Sequence, residues 1–184
     1  MNDELERAFD FITWSAKLRE VTRHNNAIAD RKESVAEHSW HLALMCWVLS
    51  KQFEQELHVE LDLAKMLKMA TIHDLVEIDA GDPSVWSKNH ADGKAEREEA
   101  VAQAHFTKLA PGLASELLEL WHEYESGDTP ESKVVRGVDR INPAIMRFTT
   151  GQGWTDVQGS VKTLDDVQLP RIGFSDTLTS MYEY

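Results

Sequence analysis

Cysteine is almost absent from this sequence of 184 residues, which contains only Cys46 and so cannot form an intrachain disulfide. The apolar neighbours Met45 and Trp47 indicate that this thiol is a small buried side chain. No apolar run reaches the roughly 20 residues that a membrane span requires, and the first residues are acidic where a signal peptide is basic. These absences predict a cytoplasmic protein that has no membrane partner.

Positive charge is also scarce, with 19 lysines and arginines against 32 acidic residues and a net charge of −13. Such a surface repels the phosphates of a nucleic-acid polymer, so we do not expect one as a partner. A small anionic substrate remains possible, because salt screens charges beyond about 8–10 Å and leaves a pocket to its own nearby groups.

What the sequence has in quantity is apolar residues at helical spacing, which predicts an all-α fold. The length suits one domain with its own core. We predict a helical bundle over residues 1–150 and an irregular C-terminal appendage over residues 151–184, packed on the same domain, because glycines and prolines interrupt that segment. The polar residues 21–32 have no period and predict a loop.

Two predicted helices have apolar faces that we expect to be buried. In the first, residues 3–19, this stripe contains Leu5, Phe9, Ile12 and Leu18. The second starts at the capping-box pattern of Ser34 and Glu37 and runs to about residue 55. It is apolar on nearly every side, Trp40 and Trp47 included, so it is expected to be the central buried helix.

A third helix begins near Leu61-Asp62, and its apolar stripe continues at helical spacing into Asp74 and then Glu77. His73 stands beside Asp74. The apolar side of this helix therefore ends in carboxylates at the depth of the core, which is a poor arrangement for packing and a good one for a metal ion.

Four polar residues recur on apolar helices: His38, His73, Asp74 and Asp139. Taken singly, each is more often a hydrogen-bonded core histidine or a capping aspartate. Together they favour a shared cation, because burying two carboxylates and two histidines without one costs several kcal/mol per unpaired charge. Imidazole nitrogens and carboxylate oxygens can hold one divalent ion of Co, Mn, Fe, Ni, Mg or Zn and leave positions open for substrate.

The segment from Glu33 to Ser39, the pair His73-Asp74 followed by Glu77 and the Gly81-Asp82 turn, and Asp139 on a later helix resemble the HD-domain metal-dependent phosphohydrolases. Within them the sequence is most similar to the bacterial 5'-deoxynucleotidase branch. The resemblance implies an HD-domain helical bundle in which His38, His73, Asp74 and Asp139 bind one metal, and a small nucleotide as the substrate.

It also implies roles for five further residues. Glu77 would position or deprotonate the attacking water, and Asp82 would support that network or contact the sugar. Arg23 matches a phosphate-binding arginine, and Lys88 stands where the family often has a lysine. His24 occupies a position where the branch tends to have a tryptophan that contacts sugar or base.

Other functions remain open from the sequence. The same ligands with a longer anion pocket would suit a nucleoside triphosphate or pyrophosphate phosphohydrolase. A di-iron oxygenase of the HD type would need further histidines, for which His90 and His105 are candidates. A non-catalytic helical module with a structural metal would leave Glu77 and Asp82 without a use. The region Leu113–Tyr124 looks exposed and suggests a homodimer.

Overall fold

The computed structural model describes residues 2–81, 93–154 and 161–184. The helices in these ranges are α1 (Asp3–Ser15), α2 (Val35–Leu57), α3 (Leu63–Ile72), α4 (Glu77–Ala80), α5 (Lys94–Phe106), α6 (Pro111–Ser126), α7 (Pro130–Thr150), α8 (Val161–Ile172) and α9 (Asp176–Glu183). A 3-10 turn, Ala16–Arg19, follows α1, and the strands β1 (Thr22–Ile28) and β2 (Arg31–Ser34) form an antiparallel hairpin. The predicted all-α class is confirmed.

The core lies where α2 packs against α3 and α7, with α6 packed on both α3 and α7. Leu42, Phe53, Met66, Met69 and Val138 are fully buried there. Helix α2 begins as predicted, because the Ser34 hydroxyl accepts the Glu37 N–H while the Glu37 carboxylate accepts the Ser34 N–H at 2.9 Å. This cap fixes the start of the helix that carries His38.

The prediction of a loop over residues 21–32 is wrong, because this segment forms most of the β1–β2 hairpin. Its strands lack apolar alternation, so the usual signal for a strand is missing. The hairpin is stabilised by packing of β1 on α7, where the buried Asn25 side chain accepts a 2.9 Å hydrogen bond from Arg147 Nε. Tertiary contact, rather than local pattern, therefore determines this structure.

The stripe predicted for the first helix is only partly buried. Leu5, Phe9 and Ile12 are more than half exposed, whereas Leu18 is buried as predicted, in the 3-10 turn that follows α1. Within α1 the buried residue is Trp14, which was not part of the predicted stripe.

Helix α2 is central but not buried on every side. Its inner face carries His38, Leu42 and Met45, whereas Trp40 is 68% exposed and Trp47 is 60% exposed. The prediction that both tryptophans lie inside the bundle is therefore wrong. In a domain of this size a helix usually buries one face against its neighbours and leaves the other face exposed.

The C-terminal segment is helical, rather than irregular, from residue 161 onward. The Ser175 hydroxyl accepts the Leu178 N–H and so caps α9, which packs on α7 and α2. Leu178 is fully buried. A domain division at residue 150 remains a prediction. Among the described residues, no helix is both long and apolar enough to cross a membrane.

Candidate metal centre and active site

Three parts of the bundle bring the predicted ligands together. His38 lies in the first turns of α2, and Asp139 lies on α7. Helix α3 ends at Ile72, and the turn that follows directs His73 and Asp74 to the same place. The predicted helix therefore stops one residue before the His-Asp pair instead of continuing through it.

The distances within this cluster are those of groups that share a small ion. Asp74 Oδ2 lies 3.0 Å from His73 Nε2 and 3.8 Å from His38 Nε2. Candidate ligand atoms of these three residues all lie within 4.8 Å of one another. Asp139 Oδ1 is 3.0 Å from the same His38 Nε2 atom.

The orientation of both histidines leaves Nε2 for a ligand. His73 Nδ1 lies 3.0 Å from the carbonyl oxygen of Ala70, which can only accept, so Nδ1 carries the proton. His38 Nδ1 donates to Asn142 Oδ1 at 3.2 Å, and the Asn142 amide nitrogen faces His41 Nδ1 at 3.0 Å, which fixes the amide orientation.

Each Nε2 atom can therefore offer its lone pair to a cation. Both are fully buried and make no hydrogen bond, even though carboxylate oxygens lie 3.0 Å away. Buried polar atoms without hydrogen bonds are rare and costly. The Nε2 atoms of His38 and His73 and the carboxylate of Asp74 fit a divalent cation, and Asp139 lies beside them at His38.

The acids of the cluster are ionised at neutral pH. Burial alone raises the pKa of a carboxyl, but His73, Arg23 and His38 outweigh that effect and lower the pKa of Asp74. Burial is likewise outweighed at Asp139, where His38 makes the largest contribution to a lowered pKa. Tyr124 donates its hydroxyl hydrogen to Asp139 Oδ2 at 3.2 Å, and burial raises the pKa of this tyrosine well above its ordinary value.

Arg23 reaches the cluster from β1. Its Nη1 lies 3.1 Å from Asp74 Oδ2, and its Nε lies 3.7 Å from Glu33 Oε2. Glu33 is only 1% exposed, and burial raises its pKa. The guanidinium is therefore held between two acids at the edge of the site, where a phosphate would compete for it.

A cleft of about 150 Å³ opens onto these residues. Glu77, which is only 4% exposed, lines it from α4, and Lys94 lines it from the start of α5. Lys94 Nζ lies 3.3 Å from Glu98 Oε1. Burial lowers the pKa of Lys94, but Glu98, Glu77 and Asp74 outweigh it and raise the pKa, so the ammonium stays charged.

One predicted substrate-binding residue, His24, does not line the cleft. His24 is exposed on β1, and the cleft lining contains its neighbour Arg23 instead, because successive strand residues point to opposite faces. Asp82 and Lys88 lie outside the described residues. Their roles remain predictions.

His105, a candidate for a second metal, has other partners. It stacks on Trp14 at a ring separation of 3.9 Å and pairs with Asp79 at 2.9 Å. His90 lies outside the described residues. Over the described ranges, the grouping of candidate metal ligands contains His38, His73 and Asp74 alone.

Several residues of this site were not identified from the sequence. Asn142 follows Asp139 by three positions and so shares its helix face, which is a detectable signal once Asp139 is suspected. Glu33 belongs to the matched segment but had no assigned role. Tyr124 and Lys94 lie on other helices, and no local pattern connects them to the ligands.

The fold and this cluster define an all-helical protein with a candidate metal site. The chain belongs to the HD domain family, which matches residues 15–172. Its similarity to a solved structure is extensive: the crystal structure of a protein from Magnetospirillum magnetotacticum MS-1, named as a predicted metal-dependent phosphohydrolase, has a TM-score of 0.86 and 32% sequence identity. That comparison covers 98% of this chain and 90% of the other.

Curated relatives carry a more specific name. The protein "5'-deoxynucleotidase HDDC2" of Danio rerio is 28% identical over 144 residues, which are 77% of this chain and 68% of that protein. The protein of the same name from Homo sapiens is 32% identical over 111 residues, which are 60% of this chain and 50% of that protein. The aligned part of this chain thus spans about half the length of the human relative.

Proposed function

We propose that this chain is a metal-dependent phosphohydrolase that removes phosphate from nucleotides, with (deoxy)nucleoside 5'-monophosphates as its substrates. The observation that carries the proposal is the pair of buried Nε2 atoms, on His38 and His73, that face two ionised carboxylates without hydrogen bonds. The family and the names of the relatives support the substrate class.

In this proposal His38, His73, Asp74 and Asp139 hold one divalent ion. The ion, when bound, lowers the pKa of water and neutralises charge on a phosphoryl oxygen. Two imidazoles favour a first-row transition ion such as Mn, Fe, Co or Ni over Mg. The remaining chemistry belongs to side chains around the cleft.

Arg23 grips the substrate phosphate with its guanidinium fork and exchanges its contact with Asp74 for one with phosphoryl oxygens. Glu77 lies in the cleft lining and accepts the proton of the water that attacks phosphorus. Lys94 adds a fixed positive charge beside the phosphate. Asp82 and Lys88 are proposed as further sugar and phosphate contacts.

The test is phosphate release by the pure protein, supplemented with Mn or Co, across a panel of ribo- and deoxynucleoside 5'-monophosphates. We expect release that Asp74→Asn abolishes and that Glu77→Gln lowers by about 10²- to 10⁴-fold in kcat. A panel without any release, or an Asp74→Asn variant with undiminished activity, contradicts the proposal.

A homodimer in the cytoplasm is also proposed, on new grounds. The α6 region that suggested it has a buried tryptophan, Trp121, whereas α2 exposes Trp40, Leu44, Trp47 and Val48 on one face. Contiguous exposed apolar side chains typically mark interfaces. We expect light scattering to give a dimer mass that Trp47→Asp reduces to that of a monomer; a monomeric wild type contradicts this.

A further inference from the structure

A second cleft lies beside the candidate active site and has a volume of about 310 Å³. Four cations contribute to its lining: Lys133, Arg136, Arg140 and Arg171. Arg136 and Arg140 line the active-site cleft as well, so the two clefts are adjacent and share a wall. Arg140 directly follows the proposed ligand Asp139 in the sequence.

Three of these cations lie on one face of α7, because Lys133, Arg136 and Arg140 are spaced three and four residues apart. Arg136 is fixed in place by the end of α6, where its Nη1 donates to the carbonyl oxygens of Tyr124 and Glu125 at 2.7 Å each. Backbone carbonyls at a helix C-terminus attract a cation without cancelling its charge.

Two glycines permit this arrangement. A Cβ on Gly127 would lie 3.1 Å from Arg136 Cδ, so the absence of a side chain lets the arginine lie across the helix end. A Cβ on Gly137 would lie 2.5 Å from Leu178 Cδ1 and 3.1 Å from Phe174 Cζ. The segment that follows α8 can therefore approach α7 closely, and Arg171, in the last turn of α8, lies in the same cleft.

In the part of the chain that the structure describes, the cations of this cleft outnumber the acids that pair with them. Over the described ranges, Lys133, Arg140 and Arg171 form no ion pair with a carboxylate, and Arg136 lies 3.8 Å from Glu125 Oε2. Burial, together with Arg140 and Arg136, lowers the pKa of Arg171, which reflects mutual repulsion of the guanidinium groups. Such a cluster of cations is unusual in a chain of net charge −13, and a bound anion would relieve the repulsion among them.

We propose that this basic cleft binds a phosphate group beside the one that is hydrolysed, so that nucleotides with a second phosphate bind better than monophosphates. Guanidinium forks match phosphate oxygens in pairs, and the cleft lies at the lower end of the roughly 300–1,000 Å³ typical of small-molecule sites. The net charge of −13 disfavours a nucleic-acid polymer. The nucleotide as ligand rests on the function proposed above; the phosphate site itself does not.

The experiment is titration calorimetry of the metal-loaded full chain in the cold with three probes: deoxyadenosine 5'-monophosphate, its α,β-methylene 5'-diphosphate analogue, and inorganic phosphate. Lys133→Ala/Arg171→Ala removes two exposed cations of the cleft. Lys51→Ala/Lys68→Ala is the matched control, because it makes the same change in net charge at exposed lysines of α2 and α3.

For the wild type and the control, we expect the diphosphate analogue to bind about tenfold more tightly than the monophosphate, since charge-assisted contacts are the strong ones. In the cleft variant this ratio should fall to about two or less, and added salt should reduce it in the wild type.

The phosphate probe separates two sources of the anion. Inorganic phosphate could bind the wild type and the control but not the cleft variant, while the affinity of the diphosphate analogue relative to the monophosphate is the same in all three proteins. The cleft would then bind free phosphate instead of a substrate phosphate, and the proposal of a second nucleotide phosphate would be wrong. If neither probe distinguishes the cleft variant from the control, the proposal is wrong. A chain that binds no nucleotide contradicts the function proposed above, and the phosphate probe then still decides whether the basic cleft is a site.

Discussion

Glu37 and His38 are neighbours at the start of α2, but their side chains lie in opposite surroundings. Glu37 forms hydrogen bonds of 2.9 and 2.7 Å with Arg31 on the surface, where its side chain is 42% exposed. His38 is fully buried, with Asp139 Oδ1 3.0 Å from its Nε2. Solvent screens the Arg31–Glu37 interaction, so its net contribution to stability is small. Burial strengthens the interaction of His38 with Asp139, and an uncompensated charge there is costly.

The comparison teaches which ionic contacts serve structure and which serve chemistry. The Arg31–Glu37 pair completes a helix cap and can be lost with little effect. The inner cluster gathers Asp74 and Asp139 around two imidazoles, and desolvating each charge costs several kcal/mol unless a cation compensates. We therefore expect changes to the inner cluster to have large effects on metal binding and activity, and changes to the outer pair to have small ones.

The largest effect is expected for Asp139→Asn, which keeps the shape of the side chain and removes its charge. We predict a loss of metal affinity greater than the roughly 10- to 100-fold that follows from altering groups behind the ligands, together with loss of nucleotidase activity. Metal content after dialysis and phosphate release measure the two effects.

Asp165→Asn is the matched control, because Asp165 also accepts a tyrosine hydroxyl, that of Tyr182 at 3.0 Å, and lies on α8, which carries none of the proposed ligands. Its metal content and activity should equal those of the wild type. Equal losses in both variants would assign the effect of Asp139→Asn to stability and remove the contrast between inner and outer acids.

The next effect concerns the arginine held between Glu33 and Asp74. Arg23→Lys keeps the charge but loses the fork, so we expect KM for a nucleotide monophosphate to rise about tenfold while metal content stays unchanged. Arg31→Lys makes the same substitution in the surface pair and should leave KM within experimental error. An unchanged KM in Arg23→Lys would show that this guanidinium does not bind phosphate.

A third effect tests how His38 is oriented. Asn142→Ala removes the acceptor of the Nδ1 proton, which frees the ring to rotate or to change tautomer. We predict about 10- to 100-fold weaker metal binding with the fold retained, as measured by calorimetry and by circular dichroism. Asn26→Ala, which removes a surface side chain that donates to the Ala29 carbonyl, is the control and should bind metal normally.

These residues differ in how far the sequence could predict them. His38, His73, Asp74 and Asp139 were singled out because polar groups interrupt apolar helices, and the capping box at Ser34 and the helix start near Asp62 are local patterns that the structure confirms. The catalytic roles remain predictions. A sequence pattern predicts interactions between residues that lie within one or two helical turns of each other. The caps that start the main helices are interactions of this kind.

Where the sequence failed, long-range packing determined the outcome. The β1–β2 hairpin forms although its strands show no alternation, because it packs on α7. Trp40 and Trp47 are exposed because only one face of α2 meets the rest of the bundle. The basic cleft combines cations of α7 with Arg171, which lies 31 positions after Arg140 in the sequence. No local pattern predicts a contact over that separation.

The smallest effect is expected for Glu37→Gln, which keeps the cap acceptor and removes the charge. Arg31 and the Ser34 N–H lower the pKa of Glu37 from 4.5 to about 2, so the stabilisation is complete above pH 4.5 and is lost as pH falls toward 2. At pH 7 the variant should melt about 1–3 °C below the wild type, since an exposed pair is screened. Near pH 2 the two proteins should melt together. A gap that persists there would mean that the amide disrupts the cap itself, and the outer pair would then matter for geometry rather than for charge.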